Sequence, residues 1–180
     1  MKKSLLISLL LFTSLYSDAK TYIGFNYGVF NEKFNNLEAE NSAQTISLKV
    51  GYGDIKAYAI EFSVDRVQND SNIFSKNDGN KYSLNIELIK AFDFDTFANP
   101  FFKIGFGTSR LKIDRKVQNN LYSGSFNLGF GSFFPITSNI DLEIGYNYRY
   151  ITYEKLDNIS NKISYESNVN IIYSGLNVRF

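Results

Sequence analysis

"YSGLNVRF", residues 173–180, brings the chain to its last residue on a bare phenylalanine. C-terminal tails usually fray into polar, mobile residues. Here Leu176, Val178 and Phe180 instead alternate with Asn177 and Arg179 to the last position. A two-residue period sends side chains to opposite faces of a strand, so the tail reads as the end of a working strand. Upstream the phase is opposite: Val169, Ile171 and Tyr173 lie on odd numbers. A β-bulge near Ser174 and Gly175 is the expected cause, because one extra residue flips every later side chain.

The same alternation recurs seven times before the tail. Ile23, Phe25, Tyr27 and Val29 alternate with Gly24, Asn26 and Gly28, and Ile46, Leu48, Val50 and Tyr52 with Ser47, Lys49 and Gly51. Tyr58, Ile60, Phe62 and Val64 face away from Glu61, Ser63 and Asp65, and Tyr82, Leu84, Ile86 and Leu88 from Ser83, Asn85 and Glu87. In the second half Phe102, Ile104 and Phe106 oppose Lys103 and Gly105, and Phe126, Leu128 and Phe130 oppose Asn127 and Gly129. Ile140, Leu142, Ile144, Tyr146, Tyr148 and Tyr150 oppose Asp141, Glu143, Asn147 and Arg149. Helical spacing cannot produce this pattern, whereas strands with one apolar and one polar face do. Eight strands are expected, each near the 9–11 residues that a tilted strand needs to cross a bilayer.

Connections alternate in length. Long polar ones are expected about Asn31–Ala43, Gln68–Asn80, Lys112–Asn120 and Glu154–Ser164, and short ones near Gly53–Lys56, Phe92–Pro100 and Pro135–Asn139. Four long and three short suit an up-and-down barrel that begins and ends on its short-turn side.

The chain opens with Lys2 and Lys3, an apolar run from Leu5 to about Tyr16, and small residues at Ser17 and Ala19. That is the layout of a secretory signal over residues 1–19, with cleavage expected after Ala19 and a barrel over 20–180. The apolar run is too short for a membrane-spanning helix. Losing Lys2, Lys3 and Asp18 leaves acidic and basic side chains equal in number, and no basic stripe marks a nucleic-acid partner.

Of 180 residues 17 are Phe and 13 Tyr, yet mean hydropathy is −0.20, so apolar residues are interleaved with polar ones rather than clustered. Cys and His are both absent. Disulfides, thiolate chemistry and zinc–thiolate sites are thereby excluded, and no cofactor is indicated. A serine nucleophile lacks its usual imidazole base, so a non-enzymatic role is expected, although a Ser–Lys or carboxylate mechanism lies within the composition.

The polar face is rich in Gly, Ser and Asn, which suits a crowded barrel interior. Aromatics gather near strand ends (Tyr22, Tyr52, Tyr58, Tyr82, Tyr122, Phe134, Tyr150 and Tyr153), where interfacial girdles would lie. No Trp is present, so the glycine-x-tryptophan signature of lipocalins is missing. Together these features make the chain resemble the small outer-membrane β-barrels of Gram-negative bacteria, the OmpA- and OmpX-type and opacity-like group. The resemblance implies an all-β, eight-stranded antiparallel up-and-down transmembrane β-barrel, barrel only, with both termini in the periplasm. It also implies a C-terminal assembly signal, whose fixed positions are matched by Tyr173, Gly175, Val178 and Phe180. Implied partners are outer-membrane lipids and lipopolysaccharide, with the barrel-assembly machinery and periplasmic chaperones during biogenesis. Enzymes in this size class lean on histidine, which this sequence lacks.

With the apolar face toward lipid, Lys49, Glu61, Glu87, Lys103, Glu143, Arg149 and Arg179 point into the lumen. An eight-stranded barrel is just wide enough for side chains to fill, so a salt-bridge network closing the lumen is expected. A narrow channel for ions or small solutes is the alternative, and a soluble exported barrel binding an apolar ligand is the second. Phe34, Leu37, Ile73, Phe74, Val117 and Ile159 are scattered through the long loops, which permit adhesion to a host surface or neighbouring cell without arguing for it. The loop acids Glu32, Glu38, Glu40, Asp70 and Asp78 lack calcium-loop spacing.

Overall fold

The computed structural model describes residues 19–35, 39–69, 73–75, 78–114, 119–157, 162–163 and 165–180. The expected signal segment, Ala19 apart, lies outside them, as do Leu37, Glu38, Asp70, Val117 and Ile159. The alternating segments form β1 (Lys20–Phe34), β2 (Glu40–Gly53), β3 (Tyr58–Val67), β4 (Lys81–Ala91), β5 (Asn99–Lys112), β6 (Asn120–Pro135), β7 (Ile140–Tyr153) and β10 (Glu166–Arg179). Within the last long connection, β8 (Leu156–Asp157) pairs with β9 (Lys162–Ile163).

Each of the eight long strands pairs antiparallel with its chain neighbour, and β1 pairs with β10, so the sheet closes into a barrel. Closure removes the free edges that would otherwise invite pairing with another chain. The closing register runs from Tyr22 opposite Arg179 to Phe34 opposite Ser167. Six of the eight strands have 14 to 16 residues, more than a crossing needs. The extra length lies at the long-loop end: β1 and β2 continue through most of the expected Asn31–Ala43 loop.

The expected bulge in β10 is absent. Its register is unbroken against both β1 and β7, and odd residues face inward throughout. Val169, Ile171 and Tyr173 are buried in the lumen, whereas Ile172, Leu176, Val178 and Phe180 face out. Polarity changes along the inner face while the strand runs on straight. The same reason corrects two aromatics assigned to the girdles: Tyr22 and Tyr153 are buried inside, while Tyr52, Tyr58, Tyr82 and Tyr122 are exposed as expected. Packing across the closing seam is close enough to need glycine. A Cβ added at Gly28 would lie 2.5 Å from the Ile172 carbonyl oxygen.

Candidate functional site: the barrel lumen

Ile23, Leu48, Phe62, Leu84, Ile104 and Ile144, each on a different strand, are 40–60% exposed, so the apolar face points outward. The charged residues of the opposite phase are buried. This polarity removes the soluble barrel that carries an apolar ligand.

At mid-height, five strands place one charge each in a single cluster. Lys103 of β5 lies 3.6 Å from Glu61, 3.4 Å from Glu87 and 3.5 Å from Glu143. Lys49 of β2 bridges Glu61 at 3.1 Å and Glu143. Three carboxylates thus share two ammonium groups, and neutral donors complete them. Tyr22 donates to Glu61 at 2.9 Å, Tyr173 to Glu143 at 2.8 Å, Asn177 to Glu143 at 3.1 Å and Asn147 to Glu87 at 3.1 Å. A charge taken out of water is tolerated only when paired and hydrogen-bonded in this way.

Two further pairs flank the cluster. Arg149 meets Asp65 at 2.7 Å, and Asp65 also accepts from Ser47 at 2.6 Å and Asn85 at 2.9 Å. Arg179 pairs with Asp141 near the short turns, its guanidinium 5.2 Å from the centre of the Tyr22 ring. Toward the long loops, Lys81 donates to Glu32 at 3.0 Å and to the Tyr153 hydroxyl at 2.7 Å. Glu32 accepts also from Tyr153 and from Ser167, both at 2.5 Å.

Both ends of this polar column are closed by apolar side chains. At the long-loop end Phe30, Phe34, Phe74, Leu111, Leu121 and Tyr153 form one buried cluster. Phe74 comes from the loop between β3 and β4, where Asp78 accepts from its amide at 2.9 Å and from Ser75 at 2.7 Å. Its ring packs 5.4 Å from Phe34 and 5.5 Å from Tyr153. At the other end Ile89, Ala91, Phe101 and Phe133 pack together beside Ile55 and Ala59, with 4.5 Å between the two ring centres. Between the two plugs lies a cavity of about 30 Å³, bounded in part by Asn26, Asn147 and Arg149. Asn26 Oδ1, Asn147 Oδ1 and Arg149 Nε have no hydrogen-bond partner among the described residues. A polar space of that size holds one or two water molecules, and such a water would satisfy them.

Lys49, Glu61, Glu87, Lys103, Glu143, Arg149 and Arg179 are all buried, and the first five form one cluster. Sequence reasoning missed Asp65 and Asp141, although both share the polar phase of their strands. It also left Glu32 in a loop, where strand pairing now carries β1 past it. Lys81 was missed because it opens β4 beside that boundary. Of the loop acids, Glu32 is buried with Lys81, Glu40 pairs with Lys33 at 3.0 Å, and Asp78 caps the Phe74 turn. No group of three or more metal-ligating side chains occurs among the described residues. Of the residues expected to form an assembly signal, Tyr173 and Gly175 share the inward phase, and Val178 and Phe180 point out.

A profile of the outer membrane protein beta-barrel domain matches residues 4–180. No curated protein matches the chain in sequence. Among solved structures, Neisserial surface protein A superposes with a TM-score of 0.72 at 17% identity, over 91% of this chain and 100% of that one. Ail, the attachment invasion locus protein of Yersinia pestis, gives 0.56 at 16% identity, over 90% and 99%. The N-terminal β-barrel domain of Pseudomonas aeruginosa OprF gives 0.54 at 12% identity, over 87% and 97%. At these identities the likeness is one of fold. The profile match and the outward apolar face agree: the chain belongs to the outer membrane protein β-barrel domain family, and its place is the outer membrane.

Proposed function

We propose that this protein is a non-enzymatic surface barrel whose lumen is a structural core, with the long loops as its exposed, interacting face. The observation that carries the reading is the ionic column closed at both ends by apolar plugs. A conduit needs a continuous wet path, and Phe74 and Phe101 stand in the way at opposite ends. The narrow-channel alternative draws on the small polar cavity, which has room for one or two waters. Reconstituted protein should therefore give no liposome swelling in small sugars beyond that of protein-free vesicles; porin-like swelling would contradict the closed lumen.

Among the described residues, Ser167 donates to Glu32, which is paired with Lys81, and is a candidate for a serine mechanism. Ser167 is fully buried, so a substrate has no approach to it. In this reading the long loops face outside and both termini lie in the periplasm, after removal of residues 1–19. Adhesion is the natural use of such loops. Ail, similar in fold, has been crystallised with the heparin analogue sucrose octasulfate. Tyr173, Gly175, Val178 and Phe180 are the proposed assembly signal. Deleting Phe180, whose amide donates to the Thr21 carbonyl at 2.9 Å, should sharply lower the yield of inserted barrel. Normal insertion of the truncated chain would remove that assignment.

A further inference from the structure

The outer wall is apolar up to a sharp boundary near the long loops. On β3 to β6 that boundary is a single register row: Arg66 opposite Tyr82, Tyr82 opposite Arg110, and Arg110 opposite Tyr122. All four side chains are exposed, and neither arginine has an ion-pair partner among the described residues. Neighbouring strands lie about 4.8 Å apart, so the two guanidinium stems straddle Tyr82 at a spacing of about 10 Å. Among the described residues, Glu154 accepts from the Tyr122 amide at 2.9 Å, and Asp114 lies four residues beyond Arg110.

One step toward the membrane, the row reads Val64, Leu84, Thr108 and Gly124. Small residues here leave a groove of about 260 Å³ below Arg110, between Leu84 and Tyr122. A Cβ built at Gly124 meets nothing within 4 Å, so this side of the row is open to the surroundings. The opposite wall at the same level is different, because its polar groups satisfy one another. Tyr148 donates to Asn168 at 2.5 Å, Ser42 to Asn31 at 2.7 Å, and Lys33 pairs with Glu40.

We infer that Arg66 and Arg110, with the groove beneath Arg110, form a seat for lipopolysaccharide, binding a lipid A phosphate above and an acyl chain below. Guanidinium forks match phosphate oxygens bidentately, and interfacial tyrosines have one apolar and one polar end. An arginine pair with no ion-pair partner among the described residues, at the edge of an apolar band, is complementary to an anionic headgroup whose tails lie in that band. The choice of lipopolysaccharide rests on the proposed orientation, which sets the long loops outside.

Native mass spectrometry of the detergent-solubilised barrel tests the seat with bisphosphorylated lipid A, dephosphorylated lipid A and phosphatidylglycerol. Wild type should retain one bisphosphorylated lipid A. The Arg66→Gln/Arg110→Gln variant should bind it at least about tenfold more weakly, as expected for loss of charge-assisted contacts. Thr108→Phe, which fills the groove and keeps both charges, should also weaken retention. Heat-modifiable gel mobility should be unchanged in all variants, since none touches the lumen. Equal retention by wild type and the double variant, or of lipid A without phosphate, would overturn the seat. Equal retention of phosphatidylglycerol would overturn the lipopolysaccharide assignment. Labelling of Asn119→Cys in intact cells reports orientation separately, and an unlabelled loop would overturn that reading without touching the binding result.

Discussion

Lumen and outer wall are built from the same strands, one residue out of phase, yet they solve opposite problems. The wall meets a solvent that cannot hydrogen-bond, so its band is Ile, Leu, Val and Phe, and its charges wait at the rims. The lumen is filled by packed side chains around a cavity of about 30 Å³, so each charge must be answered by a neighbour. Glu143 is answered by Lys49, Lys103, Tyr173 and Asn177 from three different strands. A lumen charge therefore ties strands together across the barrel, while a wall residue touches mainly lipid and the adjacent strand. Removing a charge should hurt inside, and adding one should hurt outside.

The largest effect is expected at Lys103→Met. Glu61 and Glu143 would then share Lys49 alone and Glu87 would lose the lysine it pairs with, and stranding buried charge costs about 3–5 kcal/mol. Urea titration of folded protein, read by heat-modifiable mobility, should show that loss; a change within error would mean that the network is decorative. Ile86→Arg places a charge within the lipid-facing band of β4, where a midplane arginine costs about 2–4 kcal/mol. The same titration in vesicles should show a smaller loss than Lys103→Met, and an unchanged midpoint would put Ile86 outside the hydrocarbon.

The smallest effect belongs to the short turns, where Lys56 donates to Asp93 at 2.8 Å with both side chains partly in solvent. That hydrogen bond, then one from the Asp95 amide, holds the Asp93 carboxyl below its usual range, and Asp93 in turn raises Lys56. A lowered acid contributes stability above the ordinary carboxylate range and loses it as pH falls through the depressed value. A raised lysine contributes below the ordinary ammonium range and loses it as pH rises through the higher value. Wild type and Lys56→Ala should thus differ slightly at neutral pH in low salt and converge in strong acid. A gap that widens in acid would contradict the pairing.

Strand number, order and the lipid-facing phase of β1 to β7 were legible from period-two alternation, because one face meets lipid along most of each strand. Reading failed at the ends of the lumen. There the inner face turns apolar to form the plugs, so Val169, Ile171 and Tyr173 looked like a phase change and Tyr22 and Tyr153 like girdle residues. Residue type cannot tell an inward plug from an outward band; only register can. Glu32 and Lys81 escaped for a related reason. Strands that outrun the bilayer are polar on both faces, and by composition they read as loops.

Single-channel recording in planar bilayers tests the closed lumen most directly. Purified, folded protein should give no current, or small sporadic events, because Phe74 and Phe101 cap a column of paired charges. Large, stable, porin-like steps would contradict it.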